Sequence, residues 1–176
     1  MYKYLYKFIQ EQLLSISSLK YISLFNDQFN NETEERSIPY PAVLVEFLPY
    51  EPLFYLNRYS TGTMEVVIHV GSEIITGLEY GDKLQDNSLE HLSLVDDIYK
   101  VLDNKSNYDA STGNTNIVAG NLVRTMVDTN ASTNASIRVS QITYKCNITD
   151  NLPLVDLLSQ SGNTLTISYN ITGSTS

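Results

Sequence analysis

Two short runs, AVLVEF (Ala42–Phe47) and TMEVVIHV (Thr63–Val70), constrain the fold more than any other part of the chain. In the first, Val43, Val45 and Phe47 fall on one side of an extended backbone and Leu44 and Glu46 on the other. In the second, Met64, Val66, Ile68 and Val70 oppose Glu65, Val67 and His69. A period of two belongs to strands. Two such runs with one apolar face each predict a half-covered antiparallel sheet. Between them, Leu48 to Ser60 holds Pro49, Pro52, Phe54 and the tyrosines Tyr50, Tyr55 and Tyr59. That length exceeds a tight turn, so the segment reads as a protruding hairpin or an ordered loop. Tyr50, Phe54, Tyr55 and Tyr59 are the candidate partner-facing residues there, with folding back onto their own domain as the alternative.

Helical spacing appears twice. Lys3 to Ser17 sets Leu5, Phe8, Ile9, Leu13 and Ile16 at steps of three and four, and LEHLSLVDDIYKVLD repeats Leu89, Leu92, Val95, Ile98 and Leu102 behind a predicted N-cap at Ser88. Tyr21 to Phe25 predicts a short strand, and a polar, acidic loop follows it. Asn104 to Asn116 predicts another loop. Two more strands are expected at Asn121 to Asp128 and Ser136 to Ile148. In the second, apolar parity changes between Val139 and Ile142, which predicts a bulge or bend. The expected class is α+β, a mostly antiparallel sheet packed by two helices in the order αβββαββ.

After Asp150 come LPLVDLLSQSG and then TLTISYNITGSTS, in which Leu165, Ile167, Tyr169 and Ile171 keep a strict period of two. This reads as one domain over residues 1–150 and a C-terminal extension over 151–176. The extension is either an extra edge strand of its own sheet or an arm that adds to a neighbouring subunit; the arm is the preferred expectation.

With 176 residues and 42% apolar content, the chain supports one core without disulfides, and its single Cys146 forms no internal bridge. The opening MYKYLYKFIQEQLL is charged and amphipathic, unlike a secretory leader, and no run approaches a membrane span. A soluble protein made in the cytoplasm is therefore expected, with no membrane partner. The sequons at Asn130, Asn134, Asn147 and Asn170 then follow from an Asn/Ser/Thr-rich composition. Eleven Lys and Arg against twenty Asp and Glu give a net charge of -9. Such a balance disfavours a protein that binds nucleic acid by neutralising phosphates.

No motif announces catalysis, a cofactor or a metal. His69 and His91 stand in no metal-binding spacing and read as surface or satisfied structural histidines. Asp96 and Asp97 read as a solvated helix face, and Cys146 as a core residue whose neighbour Lys145 points to the opposite side. Thirteen tyrosines without interleaved cations lack the electrostatic funnel of a single-strand binder.

Taken together, IPYPAVLVEF, STGTMEVVIHV, LEHLSLVDDIYKVLD, LVRTMVDTN and SIRVSQITYKCNITD resemble the tail terminator and tail-completion family of tailed bacteriophages, which includes head-to-tail connector ring proteins. The likeness covers about Met1 to Asp150 and rests on packing patterns. It implies a non-enzymatic virion protein of the neck or tail, and the C-terminal extension and the insertions at Leu48 to Ser60 and Asn104 to Asn116 point to a crAss-like phage. The implied assembly is a homo-oligomeric ring that joins portal, connector or tail proteins and leaves a lumen for DNA during ejection. On that reading the interface residues are Tyr50, Phe54, Tyr55 and Tyr59, with Leu165, Ile167, Tyr169 and Ile171 in the arm. The alternative is a monomeric carbohydrate- or protein-binding β-rich module, such as an adhesin or baseplate domain.

Overall fold

The computed structural model describes residues 2–29, 38–56, 59–73, 85–106, 117–129 and 137–150. Two helices, α1 (Tyr2–Leu13) and α2 (Gln85–Leu102), accompany seven strands. The strands are β1 (Tyr21–Leu24), β2 (Ala42–Phe47), β3 (Glu51–Leu56), β4 (Tyr59–Glu73), β5 (Ile117–Ala119), β6 (Val123–Asp128) and β7 (Ile137–Asp150). The order is thus αββββαβββ, with β3 and β5 added to the expected elements.

The sheet is built on β4 and β7, which pair antiparallel without interruption from Ser60↔Asp150 to Glu73↔Ile137. On the far side of β4, β2 pairs along the Val66 to Gly71 half and β3 along the Tyr59 to Thr63 half. β1 adds to β2 in parallel, the one parallel pair among the described strands. On the far side of β7, β5 pairs near Asp150 and β6 between Gln141 and Lys145.

The expected alternation holds in both central runs. Val43, Val45, Met64, Val66, Ile68 and Val70 meet Leu5, Ile9 and Leu13 of α1 and Leu94, Val95, Ile98 and Leu102 of α2 in the main core. From β7, Ile142, Tyr144, Cys146 and Ile148 join them. Fully burying an aliphatic side chain of this kind contributes about 1.5 to 3 kcal/mol before entropy is counted. The stripe on α2 is rotated from the sequence reading: Leu89 is exposed, Leu92 half-buried and Leu94 buried. The helix also starts before Ser88, so that residue is no N-cap.

Of the two readings open for Leu48 to Ser60, the hairpin is the one adopted, with β3 pairing back on β4. Pro52 does not prevent this, since a register shift between Pro52 and Phe54 and an edge position spare the missing amide. The parity change in β7 is no bulge, since its ladder with β4 is continuous. It marks a change of covered face. Ile137 and Val139 point away from the helices into a second cluster with Phe29, Ile38, Tyr40, Ala42 and Leu44, whereas Ile142 onward points to the helices. The sheet is therefore covered on part of its second face as well. A bulge does occur in β6, between Arg124 and Met126.

Asn104, at φ 58°, ends α2 in the left-handed conformation that Asn tolerates. Its amide donates to Leu122 O at 2.8 Å and Leu122 N donates to Lys105 O at 2.8 Å, so the end of the helix fixes where β6 begins.

Gly62 sits where β3 crosses closest to β4. A Cβ there would collide with the Glu51 carbonyl oxygen and come within 2.7 Å of Pro52 Cα. Gly62→Ala is therefore expected to destabilise the protein by about 1 to 3 kcal/mol, because backbone and not a pliable side chain must move. Urea unfolding of the two proteins checks this; unchanged stability would contradict the close approach.

Candidate functional site

The eight residues marked as an interface in the sequence divide sharply. Tyr50 is half-buried against the main core, and its hydroxyl lies 3.4 Å from Ser60 Oγ. Phe54, Tyr55 and Tyr59 have backbone positions in the β3–β4 hairpin, while their side chains lie outside the described residues. Leu165, Ile167, Tyr169 and Ile171 also lie outside them.

The chemistry-bearing side chains are used internally. His69, on the face of β4 away from the helices, is 4% exposed and stacks on Phe25 with ring centroids 4.0 Å apart. Its Nε2 donates to Glu46 Oε2 at 2.8 Å, while Nδ1 accepts from Gln141 Nε2 at 3.3 Å. Burial lowers its pKa, and the hydrogen bond and charge of Glu46 work against that shift. His91 of α2 is clamped between two serines, with Nδ1 2.6 Å from Ser72 Oγ and Nε2 2.7 Å from Ser140 Oγ. One hydroxyl accepts the ring N–H and the other donates to the bare nitrogen. Both histidines are satisfied structural residues.

Cys146 is buried, and burial pushes its thiol up to about 11, far from a reactive thiolate. Lys145 lies on the opposite face, 3.6 Å from Glu65 across the ladder. Asp97 is paired with Lys100 at 2.8 Å on the outside of α2. Among the described residues no cluster of His, Cys, Asp and Glu has the arrangement of a metal site. No described helix is long and apolar enough to cross a membrane.

What stands out is surface, and the sequence reading missed it. All six residues of β6 are exposed, among them Val123 at 54%, Met126 at 53% and Val127 at 37%. Beside the strand runs an open groove of about 470 Å³, walled by Leu92, Val95 and Asp96 of α2 and by Arg124, Met126 and Val127 of β6. Leu89 extends the apolar helix wall at 45% exposure. Arg124 is held at one end by the Tyr99 ring, 3.8 Å from its guanidinium carbon. The available signal was the sequence LVRTMVD itself, whose apolar residues occupy both strand faces although only one face meets a helix.

No family model and no curated protein matches the chain. Among solved structures, a chain of the virion of a native gene transfer agent particle is similar, at 9% identity and a TM-score of 0.46; the match covers 80% of this chain and 91% of that one.

Two predictions follow from the buried polar groups. His91 has its pKa lowered from 6.5 to about 4, first by burial and then by the charge of Arg138. The unfolded chain thus takes up a proton that the folded protein refuses, so stability is full above about pH 6.5 and falls as pH drops toward 4. The His91 share of that loss is about 3 kcal/mol. His91→Gln should flatten this part of the profile in urea titrations at pH 7, 5.5 and 4, and an unaltered slope would refute the assignment. Tyr144 is fully buried, and its hydroxyl has no hydrogen-bond partner among the described residues. Tyr144→Phe should therefore leave stability unchanged or raise it by about 1 kcal/mol.

Proposed function

We propose that this protein is a non-enzymatic structural component of a tailed-phage virion that assembles as a homo-oligomeric ring at the portal, neck or tail junction. The observation that carries the assembly half is the exposed apolar β6 with its groove along α2. Contiguous apolar surface of this kind, rimmed by Asp96 and Arg124, marks a protein–protein contact. A patch that meets a different patch on the next copy, repeated by a closing rotation, generates a ring.

The position in the virion rests on the family resemblance. The segments that carry it, PAVLVEF, TMEVVIHV and ITYKCNITD, fall on the three adjacent strands β2, β4 and β7 at the centre of the sheet. They specify one packed unit instead of scattered likenesses. The net charge of -9 supports a lumen past which DNA slides without sticking. Portal, connector or tail proteins are the partners above and below, and residues 151–176 are a C-terminal arm between subunits.

Electron microscopy and light scattering of the purified protein test this reading. Rings with a central opening are expected, and their population should rise between about 50 and 500 mM salt as repulsion between acidic copies is screened. A monomer at every concentration and salt, alone and with portal or tail proteins, would overturn it. Glycan binding by that monomer would favour the carbohydrate-binding module.

A further inference from the structure

We infer that the groove between β6 and α2 receives the strand-patterned segment Thr164–Ile171 of a second copy of this chain, which extends the sheet at β6. The inference rests on the ring reading and names the contact that closes it.

β6 pairs with β7 on one side and with no other described strand. The Val123 end of its outer edge is closed by the turn after α2, where Arg124 N donates to Asp103 Oδ1 at 3.4 Å. From Thr125 to Asp128 no described strand lies alongside. An exposed strand edge with apolar side chains is the surface that proteins cover or blunt. Here the cover must be apolar on the side facing α2, where half-buried Leu92 and exposed Val127 line the groove.

Thr164–Ile171 has that character. Leu165, Ile167, Tyr169 and Ile171 share one side of an extended backbone, and Thr164, Thr166, Ser168 and Asn170 the other. Charge gives an independent reason. From Leu157 to Ser176 there is no Asp, Glu, Lys or Arg, although the whole chain carries -9. An uncharged segment approaches another acidic copy without the repulsion that opposes contact elsewhere on the surface.

Chain length lets the segment reach its own β6 or that of a second copy, and the ring reading selects the second copy. All described pairings except β1 with β2 are antiparallel. An antiparallel addition to β6 starts near Asp128, whose partner on β7 is Gln141. Asp150 lies nine residues farther along β7, about 30 Å away at ~3.3 Å per residue. Within one copy the linker must therefore double back along the sheet before the segment begins. Residues 151–163 reach at most about 45 Å in extended form, enough to cross to a neighbour whose β6 faces them.

The test uses the full chain carrying a cysteine at Ile167 together with one at Met126 or at Val127, oxidised at a concentration where light scattering reports assembly. Ladders of disulfide-linked multimers that collapse on reduction are expected from at least one pair and from none of the three single-cysteine controls. Ile167→Asp alone should weaken self-association about tenfold or more. A bridge confined to single chains would overturn the proposal by placing the segment on its own β6. Assembly without any cross-link, unaffected by Ile167→Asp, would overturn it while the ring reading stands. Absence of assembly in the unaltered protein would sink the ring reading itself.

Discussion

The structure depends on the ladder between β4 and β7. Its pairs run from Ser60↔Asp150 to Glu73↔Ile137, long enough for each flank to carry two shorter strands end to end. β2 and β3 divide the edge of β4, and β5 and β6 divide that of β7. Because the side-chain period is two, one slip along this ladder would turn Met64, Val66, Ile68 and Val70 from the helices to the other face. Register is fixed by burial on both sides at once. Ile142 meets the helices, while Val139, three residues earlier, meets Phe29 and Tyr40 on the reverse face. No single shift satisfies both clusters.

That double requirement explains what was legible in the sequence. AVLVEF and TMEVVIHV could be read because each sets apolar residues at alternate positions on the helix face, and those sides agree with the burial seen, although Leu44 packs on the reverse face. β7 was read as bent because a period-two argument assumes one covered face, and this strand changes the face it buries part-way along. The hairpin of β3 was left open against a loop because Pro52 and the successive apolar residues Leu53 to Leu56 carry no alternation. β5 is three residues long, too short for any period to show. The parallel pairing of β1 depends on a crossover through residues 25–41 that no local pattern encodes.

The polar interior follows from the same geometry. Ser140 and Ser72 lie on the helix face of β7 and β4, Ser140 fully buried and Ser72 half-buried. His91 enters from α2 with a nitrogen for each. On the reverse face, His69 spans from Glu46 on β2 to Gln141 on β7 and so ties three strands together through side chains. Neither histidine had a sequence partner at a recognisable spacing, because cross-strand neighbours are distant in the chain. A histidine fully bonded in this way is a structural strut.

The candidate interface was the least legible part, for a reason that bears on assembly. A sequence shows which residues are apolar, but exposure is a property of the finished sheet. β6 is exposed because Met126, paired with Thr143, lies on the face away from the helices, while Val127, paired with Ile142 on the helix face, stays 37% exposed beside α2. An acidic chain that leaves such an edge open must separate two demands. Its charge keeps copies apart over the screening length of about 8 Å at physiological salt, while the contact itself must be short-ranged and uncharged. A sequence with its charge within residues 1–156 and an uncharged, alternating pattern within 157–176 meets both. In the proposed ring, copies associate only where that segment finds β6, and contacts between other surfaces are opposed by charge.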